Sequence, residues 1–290
     1  MKSTRTSLFP LPTRRWLAAF ALLAVLAGCA GGPPPAAPQA AAAAGAPAPA
    51  MAAAREALAP TGALRVGVYR GSPSSYVAGE GGAPARGVGY LLGQAFAQQL
   101  GVPFEPVVFA KNADVLAAVR EGRVDLVFTN ATPERARTID FSPAVLDVEK
   151  SVLVPAASPF GSLDALRGRP VRIGVSVGSS TGTELARVYP AVRLEPVPTL
   201  QQAAKLLAQG GIDGFATNKA ILFELADQVP GARVLPGAWG YEHFAIGIPQ
   251  GRAGGRAFLE RFAREAAAAG GVLQRAVEQS RLRGTVAPQS

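Results

Sequence analysis

The sequence predicts an α/β protein of two lobes, each a mainly parallel sheet flanked by helices, with two strands crossing between the lobes. Three observations carry this. Short apolar runs of strand length alternate with segments of helical period. The strand–helix order restarts after residue 170. One apolar strand stands between the two halves, and another follows the second half. Alternating strands and helices imply parallel pairing, because a helix returns the chain across the sheet.

Residues 63–68 read as a buried strand after the turn Pro60-Thr61-Gly62. A Gly/Ser/Pro-rich loop covers residues 70–86. Val88, Leu91, Leu92, Ala95, Phe96 and Leu100 fall at helical spacing, and Gly101 stops that helix. Residues 104–109 alternate as a strand. Asn112 is placed to cap a helix through Val115, Leu116 and Val119, which Gly122 ends. Residues 124–128 form the next strand, and 151–154 the first crossing. In the second half, strands at 171–175, 193–197 and 212–216 are followed by helices at 182–188, 200–207 and 220–225. Residues 244–248 form the second crossing. Helices near 253–269 and 273–282 return to the first lobe. The expected boundaries are 61–152 for lobe 1, 153–243 for lobe 2 and 244–290 for the return. No repeated sequence is read between the halves.

Ahead of this region lies a leader. Lys2, Arg5, Arg14 and Arg15 precede an apolar run from Trp16 to Ala27. A cationic start, a short apolar core and small exit residues describe an export signal. The run is shorter than the ~20 residues a membrane-crossing helix needs. It ends in Leu26-Ala27-Gly28-Cys29, which resembles the lipobox of bacterial lipoproteins. That resemblance implies removal of residues 1–28, lipidation of Cys29 and attachment to a membrane outside the cytoplasm. Residues 29–60, rich in Ala, Pro and Gly, are expected to form a flexible tether that includes a weak helix at 51–58.

Cys29 is the only cysteine, so no internal disulfide forms and stability rests on core burial. The net charge of +9 falls to +5 when the four leader cations leave. What remains is dispersed, without an aromatic-interleaved basic patch, which argues against nucleic acid as a partner. His243 is the single histidine, and without a cysteine cluster no metal site is expected. No cofactor is expected either.

Two segments carry candidate chemistry. In Thr132-Pro133-Glu134-Arg135, Thr132 suits a cap, Pro133 a first helical position and Glu134 a first turn, which turns Arg135 toward a cleft. A guanidinium meets a carboxylate with two parallel hydrogen bonds. The residues alone also allow a surface arginine paired to Glu134 or Asp140. Gly178-Ser179-Ser180-Thr181-Gly182 lies between a strand and a helix. Its N–H groups and hydroxyls make either an anion-accepting nest or a turn that only caps its helix.

An ordered set of short motifs runs through the globular region. It comprises Gly89-Tyr90, Leu100-Gly101, Leu116, Glu121 to Asp125, Thr132 to Arg135, Ile139 to Ser142, Leu163 to Gly168, Gly174-Val175, Gly178 to Ser180 and Gly211 to Gly214. With this set the chain resembles the family 3 extracellular solute-binding proteins, the polar amino-acid receptors of ABC importers. The resemblance covers about residues 63–250. It implies a two-lobed, type II periplasmic-binding fold that closes on a small ligand, a monomer that works with an ABC permease of the inner membrane. It further implies that Arg135 grips a ligand carboxylate, aided by Ser179 and Ser180 from the second lobe. Thr132 lines the approach, and Tyr69 or Tyr76 is the expected aromatic clamp; Phe128 and Asn130, also expected at the ligand, stand where the family usually has a small residue and a hydroxyl.

Departures from the family pattern bear on the ligand. Asn218 stands where an aspartate usually pairs with the ligand ammonium, and an amide supplies no charge. Lys219 beside it has the wrong sign. Gly93 replaces another usual aspartate. The carboxylate half of the site is kept and the ammonium half altered, so the expected ligand is an amino acid or a related acid, either without a free α-ammonium or with one held by neutral acceptors.

Other readings compete. Some relatives of the fold are dehydratases of cyclic acids, which need a general acid; Glu149 and Glu242 are the candidates. Lytic transglycosylases carry such a domain ahead of a catalytic one, which is not expected here from the length after the receptor region. A ligand-sensing lipoprotein without transport is the third. Ser142, Ser179 and Ser180 lack the setting of a catalytic nucleophile. His243, Trp239 and Tyr241 are expected to be structural.

Overall fold

The computed structural model describes residues 48–79 and 81–286. The leader, the lipobox and Cys29 lie outside the described residues. Among the described residues no helix is long and apolar enough to cross a membrane.

The first half runs α1 (Ala48–Leu58), β1 (Leu64–Tyr69), α2 (Val88–Leu100), β2 (Phe104–Phe109), α3 (Asn112–Arg120), β3 (Leu126–Asn130), β4 (Ile139–Phe141) and β5 (Leu146–Val154). The second runs β6 (Arg172–Ser176), α4 (Thr181–Val188), β7 (Arg193–Val197), α5 (Leu200–Ala208), β8 (Gly214–Asn218), α6 (Lys219–Ala226) and β9 (Arg233–Val234). β10 (Gly240–Pro249), α7 (Ala253–Ala267), α8 (Val272–Gln279) and β11 (Thr285–Val286) complete it. The sheet order is β2-β1-β3-β10-β5-β8-β6-β7, with β4 on β10 and with β9 and β11 on β5. β1 pairs parallel to β2 and β3, and β6 parallel to β7 and β8. The two crossing strands run antiparallel, from Leu146↔Phe244 to Lys150↔Gly240. Beyond that stretch β5 joins β8 and β10 joins β3. This is the two-lobed type II arrangement, centred on the β5–β10 pair.

The halves repeat each other in sequence as well as in shape, contrary to expectation. Arg65-Val66-Gly67-Val68 matches Arg172-Ile173-Gly174-Val175. Gly122-Arg123-Val124-Asp125 matches Gly210-Gly211-Ile212-Asp213, and each is followed, four residues after its aspartate, by Thr-Asn: Thr129-Asn130 and Thr217-Asn218. The contacts match too. Arg65 donates to Asp125 at 2.8 Å and to the Gly122 carbonyl at 2.8 Å. Arg172 donates to Asp213 at 2.7 Å and to the Gly210 carbonyl at 2.9 Å. Because these aspartates are held by arginines before pairing begins, the strands start two residues later than the periodicity predicts. Asn130 and Asn218 thereby become the last residues of β3 and β8.

The expected tether is shorter at its distal end. α1 is part of the folded body: Leu58 is fully buried against α7, where a Cβ on Gly255 would lie 2.4 Å from its side chain. Arg55 donates to the Leu100 carbonyl at 2.7 Å, which ties α1 to the end of α2. Leucine burial supplies what low local propensity for order cannot. Phe258 and Phe262 of α7 meet Phe96 of α2 edge-on at 4.9 and 4.8 Å, so the last helices pack with the first.

Candidate functional site

The ends of β1, β3, β6 and β8 converge beside the crossing strands. They enclose a cavity of about 50 Å³ lined by Tyr69, Ser72, Ser74, Ser75, Asn112, Val115, Phe128, Thr129, Asn130, Arg135, Ser176, Ser179, Thr217, Asn218, Ile221, Glu242 and Phe244. Such a place, outside the carboxyl ends of parallel strands, is where open α/β sheets take ligands. A wider groove of about 730 Å³ includes Thr132, Glu134, Arg135, Ser179, Ser180, Glu184, Tyr241 and His243.

Arg135 begins the short 3-10 turn after β3. Thr132 accepts its backbone N–H at 3.2 Å, so the predicted cap forms, though on a single turn. Its guanidinium donates to Thr129 Oγ1 (2.9 Å), the Asn130 carbonyl (3.0 Å) and the Gly178 carbonyl (3.3 Å). All three acceptors are neutral. Among the described residues Arg135 has no carboxylate at ion-pair distance; Asp140 faces Arg256 instead. Burial lowers the Arg135 pKa, and the fields of Glu242, Glu134 and Glu184 oppose that. A half-buried guanidinium without a carboxylate partner, beside a cavity, is a ready anion site.

The second-lobe loop meets the first lobe here. Asn130 Nδ2 donates to Ser180 Oγ at 3.1 Å, while Asn130 Oδ1 accepts from the His243 N–H at 2.8 Å. Gly178 lies against the start of α3: its φ is +79°, and a Cβ would sit 2.8 Å from that of Ala113. Asn112, expected as a cap, is instead the first helical residue after an extended Lys111, and its amide donates to the Gly178 carbonyl at 3.3 Å. Ser179 turns back, donating to the Ser176 carbonyl at 2.7 Å.

Of the two clamp candidates, Tyr69 lines the cavity and Tyr76 packs on Tyr90. Burial pushes the Tyr69 phenol up to about 12; Ser176 lies close enough to pull it back but not in hydrogen-bond geometry. Phe128 stacks on Phe244 at 5.2 Å and forms an apolar wall. Thr132 lies in the outer groove. Gly93 is a packing residue, since a Cβ there would lie 2.8 Å from Val66 on β1.

Asn218 is largely committed. Its oxygen accepts from the Ile221 N–H at 3.1 Å, capping α6, and its amide donates to Glu242 at 2.8 Å. Lys219 does not act at the cavity: it pairs with Glu149, which removes both from the site. Glu242, one of two expected candidates for an acid, is buried in the cavity wall. Burial raises its pKa, Lys150, Asn218 and Arg135 pull it down, and Glu184 adds to the rise. Lys150 is fully buried, paired with Glu184 and 4.9 Å over the Trp239 ring. His243 Nδ1 lies 2.8 Å from Asp147 across the two crossing strands. Among the described residues no group of three or more His, Cys, Asp or Glu side chains is placed to hold a metal.

Sequence reasoning missed Thr129, Thr217 and the serines at 72, 74, 75 and 176. The Thr-Asn ending common to both halves was the available signal.

Comparison with known proteins bears on the family and the fold. The model of the bacterial extracellular solute-binding proteins, family 3, matches residues 64–287. A membrane-bound lytic murein transglycosylase F from Aeromonas hydrophila is 28% identical over 166 residues, covering 56% of this chain and 33% of that protein. A glutamine-binding protein from Geobacillus stearothermophilus is 27% identical over 131 residues, covering 44% of this chain and 50% of that one. The aligned part is thus a third to a half of these relatives' length. Among solved structures, the substrate-binding protein of an amino acid ABC transporter superposes with a TM-score of 0.66 at 23% identity, over 75% of this chain and 98% of that one. The solute receptor for L-cysteine of Neisseria gonorrhoeae gives 0.67 at 24% identity, over 79% and 92%.

Proposed function

The chain belongs to the bacterial extracellular solute-binding proteins, family 3, and on that footing we propose that it captures a small carboxylate-bearing solute, an amino acid or related acid, between its lobes. The observation that carries this is Arg135, half-buried at the cavity with only neutral acceptors and no carboxylate partner among the described residues. A ligand carboxylate would take the guanidinium, while Ser179 and Ser180 bring the second lobe onto the same group. Tyr69 and Phe128 supply walls, and Asn130, Thr132 and Asn218 hold the surrounding backbone. Contacts to both lobes make the ligand favour the closed arrangement.

On this reading the protein is a monomer, not an enzyme. It is held at a membrane by lipidated Cys29 and hands its ligand to an ABC permease. Isothermal titration with amino, hydroxy and keto acids tests the capture. Arg135→Ala should weaken carboxylate binding by about 2–3 kcal/mol, with the fold intact. Unchanged affinity overturns the assignment.

One observation favours a second reading. Glu242 is a buried acid with a raised pKa, the property a dehydratase needs in its proton donor. Assay for water loss from prephenate-like cyclic acids decides between them, and no turnover is expected.

A further inference from the structure

We propose that Glu242 is the group that recognises a cation on the ligand, so that the cavity selects zwitterions over plain acids. This rests on the solute-binding reading above and deepens it.

Glu242 projects from β10 into the cavity wall and is 7% exposed. Its one side-chain hydrogen bond is with the neutral Asn218 amide. Among the described residues no cation lies within ion-pair distance of it. The two nearby cations are occupied elsewhere: Lys150 by Glu184 and the Trp239 ring, Arg135 by Thr129 and two carbonyls. A carboxylate taken out of water needs a proton or a positive partner. The cavity that Glu242 lines also holds Arg135. A guanidinium and a carboxyl that line one small cavity, without bonding each other, match a molecule carrying an acid and an ammonium on neighbouring atoms. The surrounding hydroxyls of Ser72, Ser74 and Thr217 accept or donate and add no charge.

The Asn218–Glu242 pair also suggests how to move the charge without losing the hydrogen bond. In Asn218→Asp/Glu242→Gln the acid and the amide exchange ends, and an aspartate oxygen still caps α6 at Ile221.

The test begins with a thermal-shift screen of the twenty proteinogenic L-amino acids and their 2-hydroxy-acid counterparts. Titration calorimetry then follows the amino acid with the largest shift and its counterpart. Wild type should prefer the amino acid by about 100-fold, as for a desolvated charge pair. Glu242→Gln, which keeps an acceptor for Asn218, should bring that ratio below about 10-fold through the amino acid alone. The double variant should restore most of it, which a merely structural role for Glu242 would not produce. A ratio unchanged in Glu242→Gln overturns the inference. So does wild type that binds both acids equally through Arg135, an outcome that leaves the solute-binding reading standing. Absence of binding by every acid in the screen overturns both.

Discussion

Asn218 donates a 2.8 Å hydrogen bond to Glu242 inside the cavity, joining the last residue of β8 to the crossing strand β10. The amide alone left the site without an anion for a ligand cation. The carboxyl lies one hydrogen bond away, 24 residues further along the chain.

Stability should depend on pH through this pair. Burial raises the Glu242 carboxyl above its ordinary value, with Glu184 adding and Lys150, Asn218 and Arg135 opposing. The folded chain therefore keeps a proton that the unfolded chain releases. Glu242 costs stability above its folded pKa and nothing below its unfolded one. Glu242→Gln should raise the Tm by a few degrees at pH 7.5 without ligand. The gain should shrink as the pH falls toward 4.5, the unperturbed value. An equal gain at every pH would show that ionisation is not the cause.

Leu58→Ala should destabilise the protein by about 2–4 kcal/mol, as a cavity-forming change in a core does. In a free tether the same change would cost nothing. Urea unfolding measures the difference.

The matched ion pairs should differ in weight. Asp125 is fully buried and serves both Arg65 and Arg252, whereas Asp213 is partly exposed and serves Arg172. Asp125→Ala leaves two arginines without their acid and should cost about 3–5 kcal/mol. Asp213→Ala should cost clearly less, because water can replace the lost partner. Parallel denaturation curves of the two variants check the order.

Gly178→Val should weaken ligand binding by about tenfold or more and also lower the melting temperature of the ligand-free protein. The residue has φ +79°, which a β-branched side chain resists, and its α-hydrogen faces Ala113 across the lobes. Strain there acts on the folded backbone itself as well as on the contact between lobes. Calorimetry and a thermal melt of the same sample separate the two effects; a large loss of stability with intact affinity would contradict this.

Much of the fold is legible in the residues. The helix at Val88–Leu100 announces itself through apolar spacing and ends at Gly101, which takes the expected left-handed conformation. Arg135 is legible only with the family resemblance beside the Thr-Pro-Glu-Arg turn, since the turn alone also allows a surface arginine. Strand starts at Leu126 and Gly214 were misplaced by two residues, because apolar pattern does not reveal that Asp125 and Asp213 are claimed by arginines some 60 and 40 residues earlier. Asn112 departs from its expected capping role for a related reason: its amide is used across the lobes, at Gly178, and not by its own helix.

The sequence by itself determined the α/β class and the two halves, because periodicity and turn chemistry act over a few neighbouring residues. The β5–β10 pairing at 146–150 and 240–244 falls almost wholly outside the stretches 151–154 and 244–248 read as crossings. The arginine at the cleft needed the family resemblance as well. The tertiary structure decided what lies opposite that arginine. It took Lys219 away to Glu149, gave Asn218 to a helix cap and brought Glu242 beside it. Burial and charge pairing depend on which distant strands become neighbours, and sheet pairing between β5, β8 and β10 sets that.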